Sequence, residues 1–495
     1  MTIDDIDDVV TLRRAAKLLE AENQKMARMI AKLQKQLHEL QGGDPEQLSL
    51  HLAGLEEQLA ALRRRMFGES SEKRPLSPKS EPADTPKKQT GHGRREQPRL
   101  PHVEEIHLAD EGDQVCKACG GRLTEWSGQY EESEEIDVLE RRFVLKKHKR
   151  QKYRCSCGAC IETAPGPLKL FDGARYSVNF AIHVAMAKYA DHMPLERQVR
   201  MMQREGLEVD SQTLWDQLNA LGKLLQPAHE RLHAYVLSQP VIGADETHWR
   251  LMGEKNKKQG GAGKRWQVWA VVAPDAVCYR ILDSRSSEAA AEVLRDFSGT
   301  IVCDGYSAYE SLKKRGGRFR LAHCWAHVRR RFVELEELYP APVGEVLRLI
   351  GELYSVERDA KTGPPEELLR VRRERSKPIL RQIQDWALST HALPQSGLGK
   401  AIAYMGSVWN GLQVFLDDPH VELDNNRTER ALRGVVIGRK NHYGSRSRRG
   451  TEVAALFYSL IESAKLVGIG PHTYLRAAVN AALRGGQIPL PHEMA

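Results

Sequence analysis

The amino-acid sequence predicts a multidomain α+β protein, and three observations lead to this fold class. Leucines recur at heptad spacing near the N-terminus, five of the eight cysteines fall between Cys116 and Cys160, and the hydrophobic pattern changes from helical to strand-like after Pro240. A chain of 495 residues is too long for one hydrophobic core, so several domains are expected. Its 41% apolar and 28% charged residues are typical of globular domains.

The composition also limits the partners and the compartment. A net charge of +8 permits a polyanionic partner without requiring one. No segment approaches the roughly 18–20 consecutive apolar residues of a membrane-spanning helix, and the acidic N-terminus lacks the apolar core of a signal peptide. We therefore expect a cytoplasmic protein with no membrane partner. In that compartment, clustered cysteines bind metal more often than they form disulfides.

Residues 1–70 are predicted to form leucine-zipper helices. Leucine or methionine recurs every seven residues from Leu12 to Leu40, with a second apolar position three residues earlier in each heptad. Asn23 at one of these core positions favours a parallel pair, because an asparagine there can hydrogen-bond to its twin. The pattern predicts a homodimer or higher oligomer; the alternative is an amphipathic helix that folds back on its own chain. Residues 71–101, rich in proline and lysine, are predicted to be a disordered linker.

Residues 102–172 are predicted to form a zinc-binding ribbon. A Cys-x-x-Cys-Gly knuckle at Cys116 and Cys119 is followed by a second group of cysteines at Cys155, Cys157 and Cys160. Four thiolates complete a structural zinc site, so one cysteine of the second group is spare, and the sequence does not say which. Redox-active or merely buried cysteines are the alternative.

Residues 173–235 have the pattern of a helix-turn-helix DNA-binding domain. A helix over Val178–Ala190 is followed by a second that stops at Gly206 and by a third that is capped by Asp210 or Ser211. Helix pairs with a glycine turn are also common in α-rich proteins that bind no DNA. In the DNA-binding interpretation, the side chains that face base edges are Ser211, Gln212, Thr213 and Gln217.

Residues 236–455 are predicted to form an α/β catalytic domain. A helix over Glu288–Leu294 connects the third of four predicted strands to the fourth; the strands are Val241–Ala244, Trp266–Ala273, Val277–Leu282 and Thr300–Cys303. A three-stranded meander, a crossover helix and a fourth strand are the opening order of a ribonuclease H-like fold. In that fold the ends of the first and fourth strands lie side by side, and here Asp245 and Asp304 follow those ends.

Two carboxylates at adjacent strand ends predict a cation site. They repel each other in apolar surroundings unless a cation bridges them, and Mg²⁺ or Mn²⁺ prefers such oxygen ligands. A third carboxylate is expected from the segment Asp424–Arg430, where Asp424 resembles a helix N-cap and Asn425 and Glu429 share one helical face. For any single acid, a cap or surface position is the alternative.

The segment Arg427–Arg449 carries eight Lys or Arg and one acid, which suits a phosphodiester backbone beside the acidic site. A solvated loop would explain the charge but not its placement. The basic side chains predicted to contact DNA are Arg430, Arg433, Arg439, Lys440, Arg446 and Arg448.

Taken together, these motifs resemble the large transposase of the insertion sequence 66 family over essentially the whole chain. The resemblance lies in short motifs that follow one another in the same order: Arg63–Lys73, Cys116-x-x-Cys119-Gly, Lys152–Cys155, Ala190–Leu195, Ala244–Thr247, Cys303–Tyr306, Cys324–Arg330 and Asp424–Arg430. Each motif alone is weak, but the ordered set is specific. The Cys155-x-Cys157-x-x-Cys160 spacing departs from simple pairing.

The resemblance implies a DDE-type transposase with Asp245, Asp304 and Glu429 as the acidic triad. It implies two Mg²⁺ or Mn²⁺ ions, a structural Zn²⁺ ion, DNA partners at the element ends and the target, and small accessory proteins of the same element. A helical insertion is expected over residues 332–417 and a C-terminal extension over residues 456–495. His327 and Arg329 are candidates for phosphate contacts, with a core histidine and a surface arginine as the alternative.

Two competing functions remain open at this stage. A zinc-containing helix-turn-helix regulator with an inactive nuclease-like domain explains the coiled coil, the ribbon and the basic loops, but not why all three acids are in position. A metal-dependent nuclease that cuts without joining uses the same two ions. Strand-transfer products distinguish it from a transposase.

Overall fold

The computed structural model describes residues 118–122, 143–154, 161–255, 263–360 and 363–495. Residues 118–122 belong to one compact unit and the other described residues to a second. The predicted coiled coil over residues 1–70 and the linker over residues 71–101 lie outside the described residues. Four of the five candidate zinc ligands also lie outside them, namely Cys116, Cys155, Cys157 and Cys160.

Two short strands and three helices precede the main sheet. The strands β1 (Lys152–Arg154) and β2 (Ile161–Thr163) pair in antiparallel fashion. The helices are α1 (Val178–Tyr189), α2 (Leu195–Arg204) and α3 (Ser211–Leu237). Helix α3 begins where the sequence predicts, because the Asp210 side chain accepts a hydrogen bond from the Thr213 amide at 2.6 Å.

The main sheet has five strands in the order β5-β4-β3-β6-β7. The first three are antiparallel, whereas β6 and β7 run parallel to β3. The strands are β3 (Val241–Lys255), β4 (Gly263–Val272), β5 (Val277–Leu282), β6 (Thr300–Cys303) and β7 (Arg320–His323). The bounds of β5 and β6 agree with the prediction, and β7 is an additional strand.

The first strand of the sheet is much longer than predicted. We expected it to end at Asp245, but β3 continues to Lys255 because its second half pairs with β4. Asp245 therefore lies inside a strand and not at its tip. Its partner β6 is as short as predicted, so the parallel pairing covers only the beginning of β3.

Helices connect the parallel strands. A long helix later in the chain, which contains Ser459 and Ser463, covers the free edge of β5. Helix α4 (Ser287–Leu294), capped by Ser286, leads into β6, and α5 (Ser307–Lys314) leads into β7. At the edge, the Ser459 hydroxyl accepts from the Tyr279 amide at 2.8 Å, and the Ser463 hydroxyl accepts from the Val277 amide at 2.9 Å. These serines satisfy backbone groups that an edge strand otherwise leaves unpaired.

A block of helices follows the sheet, in the region where the sequence predicts an insertion (residues 332–417). It packs a second hydrophobic cluster around Trp325, Phe332 and Trp386. Its helices are α6 (Trp325–Val333), α7 (Pro340–Ala360), α8 (Pro365–Val371), a π-helical turn (Arg372–Ser376), α9 (Lys377–Ser389), α10 (Gly397–Leu412) and a 3₁₀ turn (Val414–Leu416).

The last helices return to the sheet and complete the main core. They are α11 (Asn426–His442), α12 (Arg448–Leu466), α13 (Pro471–Leu483) and a 3₁₀ turn (Pro491–Met494). The predicted domain boundary between residues 455 and 456 falls inside α12, where Leu456 is fully buried. One hydrophobic cluster joins α1, α3, the sheet and α12, so residues 173–235 share a core with the sheet. Among the described residues, no helix is long and apolar enough to cross a membrane.

Candidate active site

The strand register brings Asp245 and Asp304 to the same level of the sheet. Strands β3 and β6 are parallel, with Val241 opposite Thr300 and Gly243 opposite Val302. Two residues further along each chain, the same register sets Asp245 beside Asp304. Asp304 follows the end of β6, where its side chain accepts a hydrogen bond from the Tyr306 amide at 3.0 Å.

The N-terminus of α11 is fixed to the same stretch of β3. Asn425 is buried, and its Nδ2 donates to the Ala244 carbonyl oxygen at 3.2 Å, directly before Asp245. The Asn425 amide donates to Cys324 Sγ at 3.2 Å, which ties this segment to the start of α6. Asn425 is therefore the helix N-cap position, and not Asp424 as predicted. Asp424 instead accepts from the Asn426 amide at 3.0 Å.

Gly243 allows α11 to lie this close to the strand. A Cβ atom at residue 243 would come 2.0 Å from Thr428 Oγ1 and 3.3 Å from Asn425 Oδ1. Any larger residue therefore pushes α11, and with it Glu429, away from Asp245. This residue could not be identified from the sequence, because a glycine in an apolar strand has no pattern that shows which helix will cover it.

We expect Gly243→Ala to lower the free energy of unfolding by about 1–3 kcal/mol, the usual cost of overpacking. The matched control is Gly243→Ala combined with Thr428→Ala, which removes the clashing Oγ1 and leaves the threonine Cβ position at 3.4 Å. Urea unfolding of both variants measures the difference. If Gly243→Ala lowered the free energy of unfolding equally with and without the Thr428 hydroxyl, contact with that hydroxyl would not be what limits the distance between β3 and α11.

The electrostatics of Asp245 indicate that the site is built for a cation. Burial, and after it the negative charges of Asp304, Glu246 and Glu429, together raise the pKa of Asp245 to about 7. Acids from three elements of the fold therefore repel a negative charge on Asp245. A divalent cation bound by oxygen ligands removes this repulsion, so the donor set fits Mg²⁺ or Mn²⁺.

Glu429 has a histidine and an arginine as neighbours on its outer side. Its Oε1 lies 3.5 Å from His327 Nε2, and its Oε2 lies 3.8 Å from Arg330 of the same helix, α6. Arg329, the arginine named in the sequence analysis, is exposed. Within the part of the chain that the structure describes, no three acidic, histidine or cysteine side chains converge tightly enough to form a complete metal cluster. The acids influence one another's charge without forming a closed cage.

Magnesium is expected to stabilise the folded protein increasingly as the pH rises. The folded-state pKa of Asp245 is about 7, whereas an unfolded aspartate titrates near about 3.9. Between these pH values the metal-free folded state binds one more proton, on Asp245, than the unfolded state does. The contribution of this proton to the free energy of unfolding is present at low pH and is lost as the pH rises through about 7. A cation replaces that proton. At a hundred times its dissociation constant, a ligand of the folded state adds about 2.7 kcal/mol.

Thermal melting with and without Mg²⁺, on either side of the Asp245 pKa, measures this linkage. The Asp245→Asn variant is the control: without metal above that pKa it should melt higher than the wild type, and its response to Mg²⁺ should be smaller. A wild-type Mg²⁺ shift that is independent of pH would contradict the assignment of Asp245 as the titrating ligand.

A fourth acid beside the site was not recognised from the sequence. The Glu246 side chain is fully buried, accepts from Arg285 Nε at 2.7 Å and accepts from the Tyr309 hydroxyl at 3.1 Å. The Arg285 guanidinium lies 3.8 Å from the centre of the Tyr306 ring, and the Tyr306 amide is bonded to Asp304. These contacts link the two strands that carry Asp245 and Asp304. Alternation within the strand is the only sequence signal, since it points Glu246 to the face opposite Asp245.

The basic residues predicted to contact DNA occupy two environments. Arg439 is half-buried and donates to Thr247 Oγ1 at 3.1 Å and to the His248 carbonyl oxygen. The other five are exposed: Arg430, Arg433, Lys440, Arg446 and Arg448. They follow Glu429 on α11, in the turn after it or, in the case of Arg448, at the start of α12.

The predicted contacts on α3 and the zinc knuckle have different outcomes. Gln212 is exposed, and Ser211 and Thr213 are half-buried at the start of α3. Gln217 is 3% exposed, so the prediction that it faces a base edge is wrong; its face of the helix packs into the core.

In the knuckle, Cys119 is exposed and Gly120 has a φ of 71°, a turn directly after the thiol that suits a metal knuckle.

Fold and site together define a mixed α/β protein with an acidic site flanked by arginines. Residues 173–453 match the transposase IS66 family, and residues 113–158 match the zinc-finger binding domain of transposase IS66. The chain therefore belongs to the IS66 family of transposases. The match over the cysteine segment supports a structural zinc ion in this protein.

Individual relatives agree with this membership. The uncharacterized protein y4jD of Sinorhizobium fredii (strain NBRC 101917 / NGR234) is 32% identical over 386 residues, which cover 75% of each chain. The uncharacterized protein y4hP of the same strain is 27% identical over 400 residues, 75% of this chain and 71% of that one. The crystal structure of the Mos1 strand transfer complex has 9% identity and a TM-score of 0.13 over 50% of this chain and 79% of that chain. A TM-score this low does not establish a common fold.

Proposed function

We propose that this protein is a DDE-type transposase that cuts DNA at the ends of its element and joins the freed 3′-hydroxyl groups to target DNA. The observation that carries the proposal is the convergence of acids on half-buried Asp245: the strand register sets Asp304 beside it, Asn425 fixes the helix of Glu429 at Ala244, and burial, Asp304 and Glu429 raise its pKa. Such perturbed groups cluster at functional sites. In a member of a transposase family, this acidic site is the natural candidate for the chemistry.

Each acid has a separate part in the proposed mechanism. Two divalent ions held by these carboxylates would activate the attacking water or 3′-hydroxyl and offset the charge of the phosphate in transfer. Asp245, Asp304 and Glu429 are the side chains that would hold these ions, with Asp245 lying between the other two in the fold. Asn425 positions Glu429 through its bond to the Ala244 carbonyl. His327 and Arg330 lie where they can orient Glu429.

The strand arrangement supports a ribonuclease H-like catalytic domain. The meander β3-β4-β5, the helix α4 and the parallel strand β6 beside β3 have the order that this fold requires. The β7 strand extends the parallel side of the sheet. In chain order, the insertion α7–α10 comes after the last strand of this sheet and before α11, which carries the third acid.

The remaining modules are proposed to hold DNA and partners. Helices α2 and α3 form a helix-turn-helix in which the accessible start of α3, with Ser211, Gln212 and Thr213, meets the DNA. The zinc ligands are four of the five clustered cysteines, and Cys160 is our candidate for the spare one because it lies outside the matched segment 113–158. An N-terminal coiled coil would bring two chains, and so two DNA ends, together. We further propose a cytoplasmic protein that works on the nucleoid with small accessory proteins of the same element.

Cleavage and joining of labelled DNA test the proposal. Duplexes from both flanks of the gene are incubated with the purified full-length protein and Mg²⁺, Mn²⁺ or a chelator, with an unlabelled plasmid as target. We expect nicked and joined products with either metal and neither product with the chelator.

Each other outcome identifies a competing function. Metal-dependent nicking without joined products, even when the 3′-hydroxyl end is supplied in advance, would identify a nuclease. DNA binding without chemistry, unchanged when the accessory proteins of the element are added, would identify a regulator.

A further inference from the structure

A cluster of three arginines lies beyond the acidic site, and the proposed chemistry does not use it. Arg250 on β3 and Arg265 on β4 are directly opposite each other in the antiparallel register, and both are exposed. Like charges in this position destabilise a strand pair. Neither guanidinium has a hydrogen bond or ion pair with any side chain that the structure describes. We call Arg250, Arg265 and Arg439 the arginine cluster.

Arg439 adds a third positive charge from α11. Its guanidinium is anchored to Thr247 Oγ1 and the His248 carbonyl oxygen. Burial lowers the pKa of Arg439, and Arg265 and Arg250 lower it further. Burial and the same three arginines lower the pKa of His248. The charges that lower these two pKa values are those of arginines, so positive charge accumulates at this end of β3.

The basic turn after α11 is attached to the same strand. The Ser445 amide donates to the Arg250 carbonyl oxygen at 2.9 Å, and the Met252 amide donates to the Ser445 carbonyl oxygen at 2.8 Å. This pairing holds exposed Arg446 and Arg448 next to the cluster, with the Arg448 guanidinium 5.7 Å from the Trp266 ring centre. The fold therefore concentrates positive charge from β3, β4 and the turn.

The position of the cluster relative to the acidic site follows from β3. Arg250 lies five residues beyond Asp245 in the same strand, which at about 3.3 Å per residue is about 16 Å along the strand. The odd separation sets the Arg250 side chain, and that of Arg265 opposite it, on the other face of the sheet from Asp245. Helix α11 runs alongside, with Asn425 bonded at Ala244 and Ser445 bonded at Arg250.

We propose that the arginine cluster binds the phosphate backbone of duplex DNA on a stretch outside the acidic site. The choice of DNA as the partner rests on the proposed function. Duplex DNA suits the cluster better than a single small anion, because the guanidinium groups come from separate elements and a duplex carries a charge about every 1.7 Å of helix axis. Each guanidinium can bind a phosphate through two parallel hydrogen bonds.

The salt dependence of DNA binding tests the cluster without any chemistry. The double variant Arg250→Gln/Arg265→Gln is compared with Arg373→Gln/Arg381→Gln, which removes two exposed arginines from the helical insertion. Binding of a labelled duplex from the gene flank is measured in chelator at several salt concentrations. Each lost phosphate contact lowers the slope of log affinity against log salt by about 0.9, so the cluster variant should lose about 1.8 and the control nothing.

Two further readings make the outcome specific. Without DNA, the cluster variant should melt at the wild-type temperature or above, because like-charge repulsion is removed. Ethylation interference should show phosphates whose modification weakens DNA binding by the wild type but not by the cluster variant. An unchanged salt slope, or an equal loss in the control, would overturn the proposal.

The two proposals fail independently. Normal cleavage with an unchanged salt slope would reject the cluster and leave the transposase function standing. A reduced slope in a wild-type protein that never cuts DNA would reject the chemistry and retain the cluster as a DNA-binding site.

Discussion

The Asp245→Asn variant is expected to lose DNA cleavage and joining by at least about 10²–10³-fold, the usual loss when one electrostatic contact to a transition state is removed. Asparagine keeps the shape of the side chain but removes the charge at the centre of the acidic site, where Asp304, Glu246 and Glu429 converge electrostatically. DNA binding should be unchanged or tighter, since a negative charge near the phosphates is lost.

Quantitative cleavage of labelled flanking DNA in Mg²⁺, with binding measured separately in chelator, checks this expectation. The matched control is Asp385→Asn, which makes the same chemical change at an exposed position of α9. Cleavage by Asp245→Asn within tenfold of the wild type would exclude Asp245 from the chemistry. A parallel loss of binding would point instead to misfolding.

The Arg372→Met variant is expected to lower the free energy of unfolding by about 3–5 kcal/mol, the usual effect of removing one partner from a buried ion pair. Arg372 is 2% exposed and forms two hydrogen bonds to the Glu357 carboxylate, at 2.8 and 2.7 Å. Methionine leaves that carboxylate without its cation. It also leaves acceptors unpaired at the carbonyl oxygens of Phe415, Asp418 and Val421.

The consequence should reach the active site. The three carbonyl groups belong to the segment that leads directly into Asp424 and α11, so Arg372 couples the helical insertion to the element that carries Glu429. Cleavage activity should therefore fall at temperatures where the variant is still folded.

Urea unfolding checks the magnitude, with Arg375→Gln as the control. Arg375 is exposed and pairs with Asp359 at 3.0 Å on the surface of the same insertion, where an ion pair contributes about 0–1 kcal/mol. Similar losses in the two variants would mean that burial and the carbonyl acceptors add nothing to the Arg372 interaction.

Much of the fold was predictable from local signals. Strands β5 and β6 have the predicted bounds because turns and short apolar runs delimit them. Asp210 and Ser286 cap α3 and α4 because an N-cap depends on residues two or three positions away. Asp245 and Asp304 were found because an acid after an apolar strand interrupts the hydrophobic pattern.

Other features depend on partners distant in the chain and were missed or misplaced. Strand β3 continues past Asp245 only because β4 returns beside it, and its polar second half has no strong strand signal of its own. Gln217 is buried because α3 extends into the main core and does not end as a short surface helix. Arg250 and Arg265 meet only through the register of the hairpin that joins them.

The sequence by itself determined the family and the order of strands β3 to β6, and it singled out the three acids proposed for the site, because ordered motifs and short-range patterns are properties of neighbouring residues. Only the tertiary structure decided how these parts meet: Gly243 admitting α11 against the strand, Asn425 fixing its start, and α12 sealing the edge of the sheet. Such contacts join residues up to about two hundred positions apart, and their energies depend on distances of a few ångströms that no local pattern specifies.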